Sequence, residues 1–380
     1  MQVIQKFFSL FFGLLLIPYQ LLAEVVKEGI DVGYDYYSDN VGVTVYSPVI
    51  GLKKMLNDKW GLIANLRFDA ITAASIKFAA GSYHNDVITD AVTGASDRAF
   101  DDLRIAPDIS FVYESGISKT DFGFYGSTER DYLVFAVHAN EQLSFNDANS
   151  IVNIGFSYSY EKWDPQINRA LEVDDKNIIT VSGSFTQLLS PRAYVVLNSE
   201  YTLQSGFLAS PYRYINTPTY AAFEKYPDKR QSFPTALTYV QQFGDRFSTH
   251  LSYRFYADTW ELYSHTADVK AFYDLFEGLT LGLRGRFYTQ SAVGFMKPLD
   301  EYDFTDDPDY VVSEYKYSEF SSYSYGLSAV YRPTFIEDEN IVIKFSATQY
   351  QTTDNDYIKA WYGENSITAN YFTTAFSYEF

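Results

Sequence analysis

Apolar and polar side chains alternate along most of the chain with a period of two. Between residues 279 and 288 one face carries Leu281, Leu283 and Phe287, and the other carries Thr280, Arg284 and Arg286. The same alternation recurs at 150–161, 247–256, 322–331 and 341–348. A period of two over about 9 to 12 residues predicts strands longer than the soluble average of about 5 to 6. Such lengths suit tilted strands that cross a bilayer, which need roughly 9 to 11 residues.

Alternation alone fits a soluble β-sandwich as well as a membrane barrel, so other features must decide. Short turns, such as Asn57-Asp58, Gly244-Asp245, Glu277-Gly278 and Glu337 to Asn340, alternate with long acidic loops. Aromatic side chains cluster near strand ends, as in the girdles of outer-membrane barrels, at Tyr34, Tyr36, Tyr37, Tyr253, Phe255, Tyr256, Phe372, Phe376 and Tyr378. The last amphipathic stretch ends at Phe380 and resembles the signal read by the barrel-insertion machinery of bacteria. These features favour the membrane barrel.

The pattern predicts an all-β fold, a transmembrane antiparallel β-barrel of about sixteen strands, with fourteen and eighteen as the neighbouring even counts. The predicted strands begin near residues 28, 41, 58, 102, 119, 131, 150, 177, 192, 234, 246, 262, 278, 322, 339 and 368. Long connections at 70–101, 162–176, 205–233, 292–321 and 352–367 then fall on the external side, and the short turns fall in the periplasm.

The first residues predict export. Met1 to Ala23 has Lys6 before an apolar run from Phe7 to Ile17 and a small residue at its end, which is typical of a cleaved signal peptide. No later stretch approaches the ~18 apolar residues of a spanning helix. We therefore expect residues 24–380 to form one barrel in the outer membrane of a Gram-negative bacterium, in contact with its lipid.

Composition removes several functional classes. The formal net charge of −19 argues against nucleic acid as a partner, because phosphate recognition needs a basic surface. The chain has no cysteine and four histidines, so neither thiol chemistry nor a zinc motif is indicated. Acidic residues at 300–309 lack the spacing of a calcium loop and predict a solvated external loop, with weak divalent bridging to surface lipid as the alternative.

The predicted inner face is polar and of mixed charge. Its candidate lumen-lining residues are Asp31, Asp35, Arg104, Asp108, Glu200, Arg254, Arg284 and Arg286, together with Glu114 and Lys344. A barrel of about sixteen strands is too wide to be filled by side chains, so these groups line a wet lumen. The leading hypothesis is a pore or binding channel for a small solute.

Catalysis by ordinary side chains is the less favoured class. His250 lies between Ser248 and Ser252 on the predicted inner face, which supplies the residue types of a base and a nucleophile. No third group that would orient the base is identifiable. We therefore interpret His250 as a hydrogen-bonding residue of the lumen.

The first long connection carries a near repeat. Asp69-Ala70-Ile71-Thr72-Ala73-Ala74-Ser75 is followed by Asp90-Ala91-Val92-Thr93-Gly94-Ala95-Ser96, with five of seven positions identical. Asp, Thr, Gly and Ala are frequent in turns. The repeat predicts a duplicated turn, which would fold into the lumen as a plug or constriction.

Several segments resemble a bacterial family, domain of unknown function 3570. They are Val43-Thr44-Val45-Tyr46-Ser47-Pro48, the paired Asp-Ala motifs, Glu129-Arg130-Asp131-Tyr132, Leu208-Ala209-Ser210-Pro211-Tyr212-Arg213 and Pro227-Asp228-Lys229-Arg230. The resemblance covers most of the chain from about Asp31 to Phe380. It implies architecture and brings no activity.

The second copy of the repeat also resembles the acceptor motif of exported proteins that receive FMN from an FAD:protein FMN transferase. The resemblance implies Ser96 as the acceptor hydroxyl, with Asp90, Thr93, Gly94 and Ala95 as its recognition frame. It departs from the motif in having Ser96 where threonine is usual, and the first copy, with Ser75, has Ala73 in place of glycine. Covalent FMN would make the barrel a redox protein of extracytosolic electron transfer, which is the alternative to a pore.

Overall fold

Sixteen strands form one closed antiparallel barrel in the computed structural model, which describes residues 26–73, 102–164, 174–210, 214–216, 221–298, 301–302, 308–333 and 340–380. The barrel strands are β1 (Gly29–Asp39), β2 (Val43–Met55), β3 (Trp60–Ala73), β4 (Asp102–Ser115), β5 (Ser118–Thr128), β6 (Tyr132–Phe145), β7 (Ser150–Trp163), β8 (Asp174–Ser190), β9 (Ala193–Gly206), β12 (Lys229–Phe243), β13 (Phe247–Asp258), β14 (Tyr263–Phe276), β15 (Leu279–Gln290), β16 (Phe320–Tyr331), β17 (Ile341–Thr352) and β18 (Thr368–Glu379). Two further strands, β10 (Tyr214–Asn216) and β11 (Ala221–Phe223), pair as a separate small hairpin.

The predicted strand number is confirmed, and each predicted strand corresponds to one barrel strand. The largest displacement is at β12, which begins at Lys229 rather than at residue 234. The ring closes through β1 and β18, which pair from Gly29 with Glu379 to Asp39 with Ala369. Closure leaves the ring of sixteen described strands without an unpaired edge, as a structure that crosses lipid requires.

The outer face of the barrel is apolar and exposed. Leu283 and Leu327 are cross-strand partners, and each is 61% exposed. Large apolar side chains occupy the equivalent positions around the ring, including Ile154, Leu237, Leu251 and Phe345. A continuous apolar belt of this kind is stable in lipid rather than in water, so the barrel is a transmembrane barrel of the outer-membrane type. Among the described residues no helix has the length and apolar composition needed to cross a membrane.

Connections of different length lie at the two ends of the barrel. Long connections follow β3, β7, β9, β15 and β17, and we call this end the long-loop end. The turns after β4, β8, β12 and β14 are two or three residues long and lie at the opposite, short-turn end. This division agrees with the predicted alternation of short turns and long loops.

The connection after β17 contains a helix that the sequence interpretation treated as loop. Helix α1 (Asp356–Tyr362) is capped by Asn355, whose side chain accepts hydrogen bonds from the backbone N–H groups of Tyr357 and Ile358. It ends at Gly363, which has φ 72°. An asparagine followed eight residues later by glycine is a helix start and stop signal, so this element was predictable.

The prediction of a turn is wrong for the first copy of the near repeat. Asp69 to Ala73 form the last residues of β3, and the Asp69 side chain is 0% exposed on the inner face. Burial of this carboxylate against Arg104 explains why the segment continues the strand instead of turning. The second copy at 90–96, Ser75, the predicted plug at 74–101 and the predicted signal peptide lie outside the described residues.

Candidate functional site in the barrel lumen

The inner face consists of the positions that alternate with the exposed apolar side chains. The structure places all eight candidate lumen residues, and also Glu114 and Lys344, on this face: Asp31 and Asp35 on β1, Arg104 and Asp108 on β4, Glu200 on β9, Arg254 on β13, and Arg284 and Arg286 on β15. Their part in solute passage stays a prediction. The ring brings only Arg254, Arg284 and Arg286 together, because the other strands lie elsewhere on the circumference.

Ion pairs that join different strands occupy one side of the lumen. These ion pairs join Asp35 to Arg67 at 3.0 Å, Asp69 to Arg104 at 3.2 Å and Glu161 to Lys176 at 2.6 Å. All six side chains are on β1 to β8, and we call these three pairs the paired wall. Each of the three cations faces a carboxylate, so the pairs together carry no net charge.

Arg104 is the best connected cation of the paired wall. Its Nε donates to Ser127 Oγ at 2.9 Å, and its terminal nitrogens contact the Tyr125 hydroxyl and Asp69. The side chains of Arg104 and Asp69 are 10% and 0% exposed. A charge buried this deeply is tolerated only with its partner, so the pair is structural.

A second group of charges lies on β13, β14 and β15. We call Arg254, Lys270, Arg284 and Arg286 the basic cluster. In the strand register Lys270 is opposite Arg284, and Asp268 is opposite Arg286. Asp268 Oδ2 accepts from Arg284 Nε at 2.8 Å. Within the described residues Arg284 is the only member of the cluster that forms an ion pair.

Aromatic rings surround the basic cluster. The guanidinium carbon of Arg254 lies 5.9 Å from the centre of the Tyr256 ring. The His250 ring lies 5.1 Å from that of Phe272, and among the described residues it makes no hydrogen bond to Ser248 or Ser252. The base and nucleophile considered from sequence are therefore not assembled, and hydrogen bonding by His250 as predicted is not seen either.

The remaining candidates have separate surroundings. Glu200 accepts a hydrogen bond from Thr202 Oγ1 at 3.0 Å and is opposite Ser182. Asp31 pairs with Lys53 at 2.9 Å near the short-turn end. Glu114 is opposite Lys119 at the same end. These acidic groups lie on β1 to β9, away from the basic cluster.

Part of the connection between β15 and β16 lies inside the long-loop end of the barrel. We call residues 308–319 the constriction segment. Val312 and Ser313 are 0% exposed, and a short 3-10 helix covers Tyr315–Tyr317. Gln290 of β15 donates through Nε2 to the carbonyls of Lys316 and Ser318 at 2.8 and 2.6 Å. The segment is thereby attached to the inner wall.

Glu224 holds the constriction segment from the neighbouring connection. Its Oε1 accepts from Ser313 N, Ser313 Oγ and Glu314 N at 2.9, 2.8 and 2.9 Å. Its Oε2 accepts from the Tyr226 hydroxyl at 2.5 Å. Burial, with the nearby Glu224 carboxylate, raises the pKa of Tyr226 well above its ordinary value, so the phenol stays a neutral donor. Four hydrogen bonds to one buried carboxylate fix the segment in place.

Sequence reasoning missed Asp268, Lys270 and Glu224. Asp268 and Lys270 continue an alternation with Ser264 and Thr266, so the same period-two signal was available for them. Glu224 lies in an irregular connection, where no period marks a buried carboxylate. Among the described residues no three or more His, Cys, Asp or Glu side chains are grouped to hold a metal ion. The FMN motif, with Asp90, Thr93, Gly94, Ala95 and Ser96, and also Ser75, lies outside the described residues.

Comparisons with known proteins gave one matching family model and a number of similar solved structures. The family model for Protein of unknown function (DUF3570) matches residues 18–175 and 166–380. A bacterial polysaccharide outer membrane secretin superposes with a TM-score of 0.51 at 8% identity, covering 94% of this chain and 100% of that one. OccK2 (OpdF) of Pseudomonas aeruginosa gives 0.45 at 7% identity over 93% and 97% of the two chains. The TodX monoaromatic hydrocarbon channel gives 0.44 at 11% over 96% and 93%. No curated protein matches the sequence.

Proposed function

We propose that this chain, which belongs to the DUF3570 family, is an outer-membrane channel of a Gram-negative envelope that passes or binds a small solute in its lumen. The observation that supports this proposal is the closed ring of sixteen strands, apolar outside and charged inside. No step of the proposal requires catalysis by side chains.

The width of the ring supports passage. Barrels of about 16 strands are too wide for side chains to fill, and porins of this size enclose an aqueous channel. Charged groups such as Glu200, Arg254 and Lys270 on the inner face are compatible with a lumen that contains water. The constriction segment then narrows the long-loop end and sets the size of the solute.

Conductance across a planar bilayer tests the proposal. The full chain, refolded in detergent and shown to be folded by circular dichroism, is expected to give stepwise currents in potassium chloride. Glu224→Gln weakens the acceptor that holds Ser313 and Glu314, so we expect larger or noisier current steps. The matched control is Glu200→Gln, a lumen carboxylate that does not contact the constriction segment. A folded barrel that conducts in none of the three forms contradicts passage.

The motif at 90–96 supports a second proposal, covalent FMN on Ser96 in a redox barrel. Its test is the intact mass of the protein with and without a co-expressed FMN transferase. A gain of one FMN that disappears in Ser96→Ala supports attachment, and an unchanged mass beside an active transferase removes it.

A further inference from the structure

Cations are concentrated on one part of the inner wall of a strongly acidic chain. The sequence has 48 Asp and Glu against 29 Lys and Arg. Yet the inner positions 248–256, 264–272 and 280–288 in the middle of β13, β14 and β15 carry Arg254, Lys270, Arg284 and Arg286 against one carboxylate, Asp268. The other inward carboxylates of these strands lie near the strand ends, where Asp258 pairs with Arg230 and Asp274 accepts from Thr280. This local excess of positive charge runs against the composition of the whole protein.

The strand register makes this excess unfavourable for the fold alone. Lys270 lies directly opposite Arg284, and like charges at opposed positions destabilise a sheet. Asp268 is opposite Arg286 but bonds to Arg284, so its charge does not pair with Arg286. A bound anion that contacts Lys270 and Arg286 would supply the negative charge that Asp268 does not give to these two cations, and would offset the repulsion.

The geometry points to the basic cluster as an anion-binding site, and we infer that the solute carries a carboxylate or a phosphate. This inference rests on the proposed function and names its substrate class. Arginine guanidinium groups supply a planar pair of donors that matches both anions, and Lys270 adds a point charge from the neighbouring strand. Tyr256, beside Arg254, provides a ring face on which an apolar part of the solute can rest.

Paired substitutions with the same change in charge test the site. The test variant is Lys270→Gln with Arg286→Gln, and the control is Lys53→Gln with Lys119→Gln, which removes two inward cations from β2 and β5. In planar bilayers with a potassium chloride gradient we expect anion selectivity, and block of the chloride current by inorganic phosphate. The test variant should weaken the phosphate block by roughly tenfold, and the control should change it little.

A measurement that needs no current completes the test. Inorganic phosphate is expected to raise the urea midpoint of unfolding of the detergent-refolded full chain, and of the control, but not of the test variant. No rise in the wild-type protein, or an equal rise in all three, overturns the anion site. A current without anion preference also overturns the anion site, although the proposed channel is then still supported. If phosphate raises the urea midpoint but no current is seen, passage is contradicted and the anion site is still supported. An equal response of the test and control variants would indicate an adventitious ion effect only, which also overturns the site.

Discussion

The paired wall and the basic cluster place the same residue types on the same inner face with opposite results. In the paired wall Arg67, Arg104 and Lys176 each lie within 3.2 Å of a carboxylate on another strand. In the basic cluster Lys270 is opposite another cation, and Asp268 is the one acid in the middle of the three strands. The neutral wall stabilises the barrel from within. The basic cluster adds little to the stability of the fold or lowers it. We therefore propose that the binding of a ligand explains the cluster.

Arg104→Ala should have the largest effect on this contrast. The change leaves Asp69, which is 0% exposed, without its ion-pair partner, and breaking such a buried pair costs about 3 to 5 kcal/mol. The measurement is the urea midpoint of the refolded barrel. A loss of less than about 1 kcal/mol in the free energy of unfolding would mean that water reaches Asp69. It would contradict the structural role that we assign to the paired wall.

Asp268→Asn should have an intermediate effect and sharpen the contrast. It removes the carboxylate that accepts from Arg284, at an expected cost of about 1 to 2 kcal/mol because the pair is only partly desolvated. The same variant raises the positive charge of the wall, so anion selectivity in a salt gradient should increase. A fall in selectivity would contradict the role assigned to the cluster.

Lys270→Gln should change stability by no more than about 0.5 kcal/mol, and in the stabilising direction. The substitution removes the like-charge contact with Arg284 across the β14 and β15 pair. The change in stability is measured by urea unfolding without added phosphate and is compared with that of Arg104→Ala. A loss comparable to that of Arg104→Ala would show that Lys270 has a structural partner and would end the contrast between the two walls.

Arg192→Ala should give the smallest effect. Arg192 and Asp245 form an ion pair of 3.3 Å between turns at the short-turn end, with side chains 57% and 93% exposed. Solvent and salt screen such a pair, so no measurable change in the urea midpoint is expected. This variant sets the experimental background for the other three.

The fold could be predicted from sequence because a barrel strand repeats one rule. Each residue alternates between lipid and lumen, so Leu281 and Leu283 on one face and Arg284 and Arg286 on the other mark β15 without reference to any other strand. Turn residues such as Gly278, with φ 88°, mark the end of each hairpin. Local chemistry is therefore sufficient for strand number and direction.

The site could be predicted only in part, because its geometry depends on contacts between distant segments. Alternation identified Arg254 and Arg284 as inward, but not the register that places Lys270 opposite Arg284. The clamp formed by Glu224 and Ser313 joins residues 89 apart in sequence. The plug predicted in the connection 70–101 falls almost wholly outside the described residues, and the sequence did not predict that 308–319, which is described, lies inside the lumen. Irregular connections obey no period that would place them.

The seam between β1 and β18 has a consequence for how the molecule forms. It joins the two most distant strands in eleven register pairs, and Phe380 N donates to Glu28 O at 3.0 Å beyond the last of them. Until these bonds exist, both strands present open edges that hydrocarbon cannot solvate. Contacts of such high sequence separation are slow to form. The seam should therefore be the kinetic bottleneck of assembly, and a partly closed ring should be a transient species rather than a stable intermediate.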